Sequence, residues 1–480
     1  MRYEYETILR DRDNFGPRLS LAYSPFESGQ LVLRAGAGIF FNRPLLRTID
    51  DFTLGRQQLF FDTNLLRDPQ TGKQMTVEQR RAFIAANLRF PETLSVDSRL
   101  VREFGVLNTE FSRRLDPSLR IPESYQINAG VERDLGRGYS VEANFTFTRG
   151  AHLWREFNVN APVLPPGYRN FSEFLASRDF PNFRNALTST RPLYNAANAG
   201  ELVRFIFGSS NNVVRTVEFG VPVSVMNLNS PGSTTMLEVA LAAINNLRPD
   251  PTRGEIEQLI SAGNSFYRGM TLELRKRFDS WFTFRAGYTL SSLIDDGVVN
   301  TSDALVPGDF RAERARSLLD RRHRFVFSGM FDLRVLQLSP VWRVASGAPF
   351  NISLGGVDRN LDDVSNDRPN YAGDLRLLRW RTPGETLDPR VLEAFSVPQI
   401  GQTGNLPRNA GHGPGLFVFD LNVSRQFGRV RASVEFDNVL NKTVFSFGSE
   451  FIDASDFLVA SRTMRPRQIR LGIKVDFGHR

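Results

Sequence analysis

The sequence predicts an all-β chain: an antiparallel transmembrane β-barrel of about twelve strands, with long loops that contain short helices. Three observations predict it. Segments of about ten residues alternate apolar and polar side chains. The connections between consecutive segments are alternately very short and very long. Phe is abundant, at 40 of 480 residues against 10 Tyr and 4 Trp, and much of it falls on alternate positions of those segments.

The alternation is clearest in residues 139–148 and 281–290. In the first, Val141, Ala143, Phe145 and Phe147 alternate with Glu142, Asn144, Thr146 and Thr148. In the second, Phe282, Phe284, Ala286, Tyr288 and Leu290 alternate with Thr283, Arg285, Gly287 and Thr289. Successive side chains of a strand point to opposite faces, so each segment has one apolar and one polar face. In chain order the strand pairs are 17–23 with 31–41, 125–133 with 139–148, 266–278 with 282–290, 323–333 with 338–345, and 417–427 with 430–440, followed by a last strand at 467–477. Each pair is closed by a short turn, most of them containing Gly, Asp, Ser or Pro, such as Gly428-Arg429; the fourth turns around Arg334 to Gln337.

The apolar face should meet lipid, with Phe145, Phe147, Phe282, Phe284, Phe417, Phe419, Ile473 and Val475 on it. The polar face should line the lumen, with Glu142, Arg285, Asp420 and Lys474, and with Glu132, Glu273, Arg275, Glu435, Asp437 and Arg470 beside them. Short turns at one end and long loops at the other are the asymmetry of a bacterial outer membrane barrel. That places Gly136, Asp279 and Gly428 at the periplasmic end and Asn212, Asp363 and His412 at the extracellular end. Within the long loops, residues 77–88, 235–247 and 255–262 have helical composition and spacing. Residues 358–368 and 401–415, rich in Asn, Asp, Gly and Pro, read as loop.

Composition agrees. With 41% hydrophobic residues and a mean hydropathy of −0.28, the chain lacks the stretches of about 20 apolar residues that a helical membrane bundle needs. A barrel, whose inner half is polar, escapes that requirement. Cys is absent, which removes disulfides and thiolate metal sites. The net charge is +8, but no basic run is interleaved with stacking aromatics, so no nucleic-acid partner is expected. Met1 to Arg12 is charged and has no apolar core of a signal peptide. Since a barrel must be exported, the expectation is that the chain lacks its true N-terminus or is part of a split or truncated reading frame.

Catalytic chemistry finds little support. The four His (His152, His323, His412, His479) show no HExxH spacing, and no GxSxG elbow or P-loop occurs. No catalytic residue, cofactor or metal site is therefore expected, and the chain reads as a non-enzyme. Two clusters carry alternatives. Asp358, Asp362, Asp363 and Asp367, with Asn360 and Asn366, offer hard oxygen ligands for Ca²⁺ without EF-hand spacing; the plainer reading is a solvated loop. Arg321, Arg322 and Arg324 beside His323 form either an anion-attracting rim or an interfacial cluster touching lipopolysaccharide phosphates or loop carboxylates.

Several phrases together resemble the C-terminal barrel of TonB-dependent outer membrane receptors, with the Oar-like branch, whose members carry a carboxypeptidase-regulatory-like N-terminal domain, the nearest group. They are Asn14-Phe15-Gly16-Pro17-Arg18-Leu19 with residues 33–40, Ser124-Tyr125-Gln126-Ile127-Asn128 with residues 129–133, Asp320-Arg321-Arg322-His323-Arg324-Phe325, Ser346-Gly347-Ala348-Pro349-Phe350, Phe436-Asp437-Asn438-Val439-Leu440-Asn441 and residues 465–472. The resemblance covers residues 1–480 as a partial barrel and implies a family barrel nearly twice this size around a plug, with neither plug nor TonB box in this sequence. It implies contact with outer membrane lipid and lipopolysaccharide, assembly by the barrel assembly machinery, and TonB only through an upstream plug. The function it implies is TonB-dependent uptake of an unknown substrate; the alternative is an adhesin or surface-assembly protein without transport. The family barrel usually ends on an aromatic residue, whereas here Phe477 is followed by Gly478-His479-Arg480.

Overall fold

The computed structural model describes residues 11–42, 49, 75–87, 112–177, 244, 247–250, 255–277, 281–297, 304–355, 358–362 and 364–477. Its main body is one antiparallel sheet of eleven sequential strands. These are β1 (Arg18–Tyr23), β2 (Leu31–Phe41), β3 (Glu123–Gly136), β4 (Tyr139–Asn158), β5 (Ile256–Lys276), β6 (Phe282–Asp295), β7 (His323–Asp332), β8 (Gln337–Ala345), β9 (Leu416–Phe427), β10 (Val430–Asp437) and β11 (Gln468–Val475). Each strand pairs with its neighbours in the chain, from β1 to β11, with no crossover. Two short strands join the sheet off this path: Ser112–Leu115, parallel to β5, and Ala315–Arg316, antiparallel to β6. Among the described residues β1 and β11 do not pair, so the sheet is an open wall.

The register carries two distinct faces across the wall. One row runs Tyr23, Leu33, Val131, Ala143, Leu272, Tyr288, Phe325, Val344, Phe417, each opposite the next. The row one residue along runs Val32, Glu132, Glu142, Glu273, Gly287, Val326, Arg343, Val418. A slip of one residue at any strand would exchange the faces; the register shifts that occur lie outside these two rows, between Asp134 and Gly136 and between Gly150 and Arg155. The apolar face has no covering layer: Met270 is 55% exposed and Leu272 50%.

Connections alternate. The chain crosses between β1 and β2, β3 and β4, β5 and β6, β7 and β8, and β9 and β10 at one end of the wall, and leaves and re-enters it for the longer connections after β2, β4, β6, β8 and β10 at the other. At the two-residue turn Gly428-Arg429, Gly428 has φ 58°, a conformation that costs glycine nothing. At the same end Phe282 stacks on Phe331 with ring centroids 6.2 Å apart, and the Lys276 ammonium lies 5.0 Å from the Tyr139 ring. Lys276 is buried there, and its ammonium also donates to Arg137 O at 2.7 Å. Val475 pairs with Val430, so the chain returns to the short-turn end.

The eleven wall strands, with the two short ones that join them, agree with the expected number of about twelve. Other expectations need correction. Residues 255–262 are not helix: Ile256 begins β5, because strand partners on both sides, Asn158 and residues 112–115, outweigh local helical spacing. β4, β5 and β6 extend beyond the expected bounds at the long-loop end, where they rise above a membrane-sized band. The helix at 77–88 is present as Val77–Asn87. That at 235–247 lies outside the described residues except for Ile244, which is helical and buried, and Leu247. Asn212, Asp279, Asp363 and residues 478–480 also lie outside them.

The stretches 358–368 and 401–415 are irregular, as expected, but they are not solvated loops. The second, with residues 438–463, packs around Phe350, Ile352, Leu378, Leu406, Phe457 and Leu458, all nearly inaccessible, and in the first Leu361 is fully buried. Trp380 stacks on Phe350 at 3.7 Å. This cap has a hydrophobic core of its own, whereas the wall is a single layer.

Candidate functional site

Two regions concentrate polar chemistry: the polar face of the wall and the interior of the cap. On the wall, three carboxylates, Glu132, Glu142 and Glu273, stand side by side on β3, β4 and β5. Like charges in direct cross-strand contact repel, so each needs a counterion. Arg34 Nη1 lies 2.7 Å from Glu132 Oε2, Arg275 Nη2 lies 2.8 Å from Glu142 Oε2, and Arg285 Nη2 lies 2.6 Å from Glu273 Oε2. Arg275 Nε also binds Glu273. The belt continues through Arg343 and Asp420 at 2.6 Å to Arg470, which reaches Glu435 at 3.3 Å and Asp437 at 3.0 Å. Glu273 is almost buried while Arg285 stays 63% exposed. The carboxylates are thus spent inside the belt, and guanidinium edges are what the face presents.

Glu142, Arg285 and Asp420 all belong to this belt. Lys474 shares the face, opposite Arg431, but lies outside the belt, its ammonium 3.7 Å from Asp476. Phe145, Phe147, Phe282, Phe284, Phe417, Phe419, Ile473 and Val475 share the other face.

The cap interior holds an ionic knot that sequence reasoning missed. Arg368 grips Glu313 with two parallel bonds of 2.8 and 2.9 Å, and its Nε donates to Leu406 O at 2.9 Å. Arg408 Nε donates to Glu313 O at 2.7 Å, and its Nη2 binds the carbonyl of Asp295 at 2.6 Å and the Asp295 carboxylate. Glu313 is 2% exposed. Burial pushes its carboxyl up, but the Arg368 fork, the Leu305 N–H and the Arg408 charge outweigh it and hold the carboxyl below the usual range. The knot ties the excursion after β6 to the excursion after β8. Only the density of Arg and Glu at 311–316 hinted at it.

The acidic loop is knitted to itself. Asp358 Oδ1 accepts from Leu361 N at 2.7 Å, Asp367 Oδ2 from Arg359 N at 2.5 Å and Asn360 N at 3.1 Å, and Asp362 Oδ1 from Val364 N at 3.0 Å. These oxygens accept from backbone N–H groups. Among the described residues no group of three or more His, Asp or Glu is placed to hold a metal ion. Burial, then the neighbouring Asp358 charge, pushes Asp362 up to about 9. Burial raises Asp367 to about 6 against the Arg359 and Asn360 N–H groups.

The expected basic rim is divided rather than gathered. Arg321 Nη1 donates to Ser346 O at 2.9 Å, Arg324 joins the polar face opposite Thr289, and Arg322 lines a cleft on the apolar side. His323 Nδ1 meets the Tyr288 hydroxyl at 2.7 Å. His412 is half-buried, and burial, with the nearby Arg316 charge, lowers its pKa. The quoted phrases prove to be joints. Ser346 Oγ accepts from His323 N at 3.1 Å. Gly347 packs so tightly on Gly413 that a Cβ would stand 1.7 Å from its carbonyl oxygen. Asn438 donates its backbone N–H to Asp420 at 2.8 Å and its amide to Lys442 O at 3.0 Å.

No curated protein matches the sequence. Among solved structures, the outer membrane transporter YddB from Escherichia coli is similar at 8% identity and a TM-score of 0.43, over 96% of this chain and 40% of that one. The receptor FpvA from Pseudomonas aeruginosa, bound to pyoverdine, is similar at 10% identity and a TM-score of 0.39, over 96% and 36%. The FrpB iron transporter from Neisseria meningitidis is similar at 8% identity and a TM-score of 0.38, over 96% and 39%. The chain spans 40% or less of the length of these structures. A family defined as the outer membrane β-barrel domain matches residues 2–470, nearly the whole sequence, and the chain belongs to that family.

Proposed function

We infer that the eleven strands are part of the wall of a TonB-dependent outer membrane receptor, and that the reading is uptake without chemical catalysis. The observation that carries it is the pairing of one continuous polar face with one continuous apolar face, closed by short turns at one end and capped at the other. In this reading Phe145, Phe147, Phe282, Phe284, Phe417 and Phe419 meet lipid, and Glu142, Arg285, Asp420 and Lys474 face the lumen. Gly136 and Gly428 lie in the periplasm, and His412 with the cap lies outside the cell. The exposed guanidinium edges of the belt suit a polar plug whose carboxylates and carbonyls they would bind, and the cap is the surface a ligand meets first. TonB would act through that plug, and insertion would use the barrel assembly machinery.

The test is uptake by cells carrying the full-length gene, with and without TonB. Energy-dependent ligand accumulation that disappears without TonB is expected. Surface binding with no accumulation would favour an adhesin instead. Residues 1–480 alone behind a signal peptide are expected to show no uptake. An unpaired edge such as that of β1 or β11 leaves backbone groups unsatisfied, at several kcal/mol each in hydrocarbon.

A further inference from the structure

Beyond the ion-pair belt, toward the long-loop end, the polar face of β2 to β5 changes character. Gly38, Gln126, Thr148 and Tyr267 form one cross-strand row there. The next row toward the loops adds Phe40 and Ser124, and the next toward the belt adds Asn128 and Thr146. None of these three rows holds a charged side chain on β2 to β5. Two aromatic rings flank the patch, and each lies over a glycine of its own strand. A Cβ on Gly269 would stand 2.8 Å from Tyr267 Cζ, and one on Gly38 would stand 3.1 Å from Phe40 Cε2. A glycine in a strand marks a place where another group comes close to the backbone, and here that group is a ring laid along the wall. On the outer side the Arg18 guanidinium stacks on Phe40, 4.4 Å from the ring centroid.

Between the rings the polar groups are neutral and unspent. Among the described residues Asn128, Thr146, Thr148 and the Tyr267 hydroxyl make no hydrogen bond, and Gln126 uses only its Nε2, on Ser124 Oγ at 3.1 Å. The two rings stand three strands apart, about 14 Å at the usual spacing, which is wider than one sugar ring. Counted from Lys276 at the short-turn end, Tyr267 lies about ten residues along β5, the length in which a tilted strand crosses an apolar band. The patch therefore sits at the mouth of the lumen. A ligand that fits it carries many hydroxyl groups, little charge, and C–H faces for the rings. Sugars have that chemistry: hydroxyls around the rim of each ring and aliphatic hydrogens on its faces. An extended peptide is recognised through pockets for its alternate side chains, and the floor of Ser124, Thr148 and Gly150 offers none.

We propose that this patch binds an oligosaccharide, with one sugar on Tyr267, another against the Phe40–Arg18 pair, and the hydroxyls between them on Gln126, Asn128 and Thr148. The proposal rests on the uptake reading given above and names the substrate class at the mouth of that lumen. It is tested by calorimetric titration of the full-length protein in detergent with maltohexaose, cellohexaose and chitohexaose, with their monosaccharides, and with hexaalanine. One of the hexasaccharides is expected to bind at least tenfold more tightly than its monosaccharide or the peptide. Tyr267→Ala should weaken that binding at least tenfold, whereas Tyr267→Phe, which keeps the ring, should stay within about threefold. Ser124→Trp, which fills the floor and leaves both rings in place, should abolish binding and covers the case in which Tyr267→Ala fails to fold, as read by heat-modifiable migration. Absence of binding by all three hexasaccharides, equal binding of hexaalanine, or unchanged affinity in a folded Tyr267→Ala or Ser124→Trp protein would overturn the site. Uptake is read separately in cells with and without TonB. TonB-dependent accumulation of another ligand by a protein that binds no hexasaccharide refutes the patch alone, whereas hexasaccharide binding that the variants lose, without TonB-dependent accumulation, refutes the transport reading alone.

Discussion

The wall and the cap solve opposite problems with the same residue types. In the wall, Leu272 and Ile473 are 50% and 78% exposed, and the charged groups lie in a half-open belt on the other face. In the cap, Ile352, Leu378 and Leu458 are fully buried, and Arg368 and Glu313 are buried with them. A cap of this kind is organised by water: apolar side chains leave it, and charges that follow must be fully paired. A wall of this kind is organised by its backbone ladder, and its apolar side chains need a solvent other than water. The same Arg–carboxylate pair therefore means different things in the two places. In the belt it is partly hydrated and replaceable, and in the knot it is an obligation.

The sharpest way to break the contrast is to remove one partner of the knot. Arg368→Ala leaves Glu313 buried without its fork and should cost about 3–5 kcal/mol, read as lost hydrogen-exchange protection across the cap. Replacing both residues by apolar ones of similar volume should recover most of it. Full protection in the single variant would show the knot to be as expendable as the belt. Next in size is Leu272→Arg at mid-height on the apolar face. It should destabilise the bilayer-inserted protein by roughly 2–4 kcal/mol in urea titration of liposome-refolded material, while Thr271→Arg on the polar face should be tolerated. Equal costs would remove the distinction between the faces.

A third test uses pH. Asp362 is raised to about 9 and Asp367 to about 6. A carboxyl raised on folding contributes its full stability below the ordinary Asp pKa of about 4, and that stability is lost as pH rises through the folded value. These two groups therefore loosen the cap progressively from about pH 4 to about 9. Asp362→Asn should flatten the alkaline part of that slope, between about pH 6 and 9, in exchange rates of residues 358–368; an unchanged slope would mean that Asp362 is not the group responsible. The smallest effect is expected in the belt. Arg285→Ala removes one partly exposed ion pair and should cost about 0.2–1 kcal/mol, with heat-modifiable migration close to normal. A collapse of folding there would show the belt to be structural in the way the knot is.

Much of the wall was legible because strand alternation is local. Phe145 and Glu142 declare their opposite faces within a few residues, and β2 falls on the expected bounds, 31–41. Chain ends of strands were less legible. β4 and β5 run past the expected limits because they pair with each other above the membrane band, which no local pattern reports. Residues 255–262 misled for the same reason: their helical spacing is real, and a tertiary ladder overrode it. The belt was half legible, since alternation assigns Glu142, Glu273, Arg275, Arg285 and Asp420 to one face, while which of them pair with one another, and with Arg343, depends on register. The cap was the least legible. Asp358 and Asp367 look like ligands or solvated carboxylates in a polar stretch, and only the folded arrangement turns them onto backbone N–H groups.

By itself the sequence determined the two faces, the order of the strands and the alternation of short and long connections, because each follows from spacing along a single segment or from the length between two. Tertiary structure alone decided the pairing of Arg368 with Glu313 across the excursions, the burial of the acidic loop and the meeting of Arg149 and Arg314 over the Phe266 ring. Those depend on contacts between residues far apart in the chain, whose energies are set by burial, and burial is a property that no residue has until the rest of the molecule surrounds it.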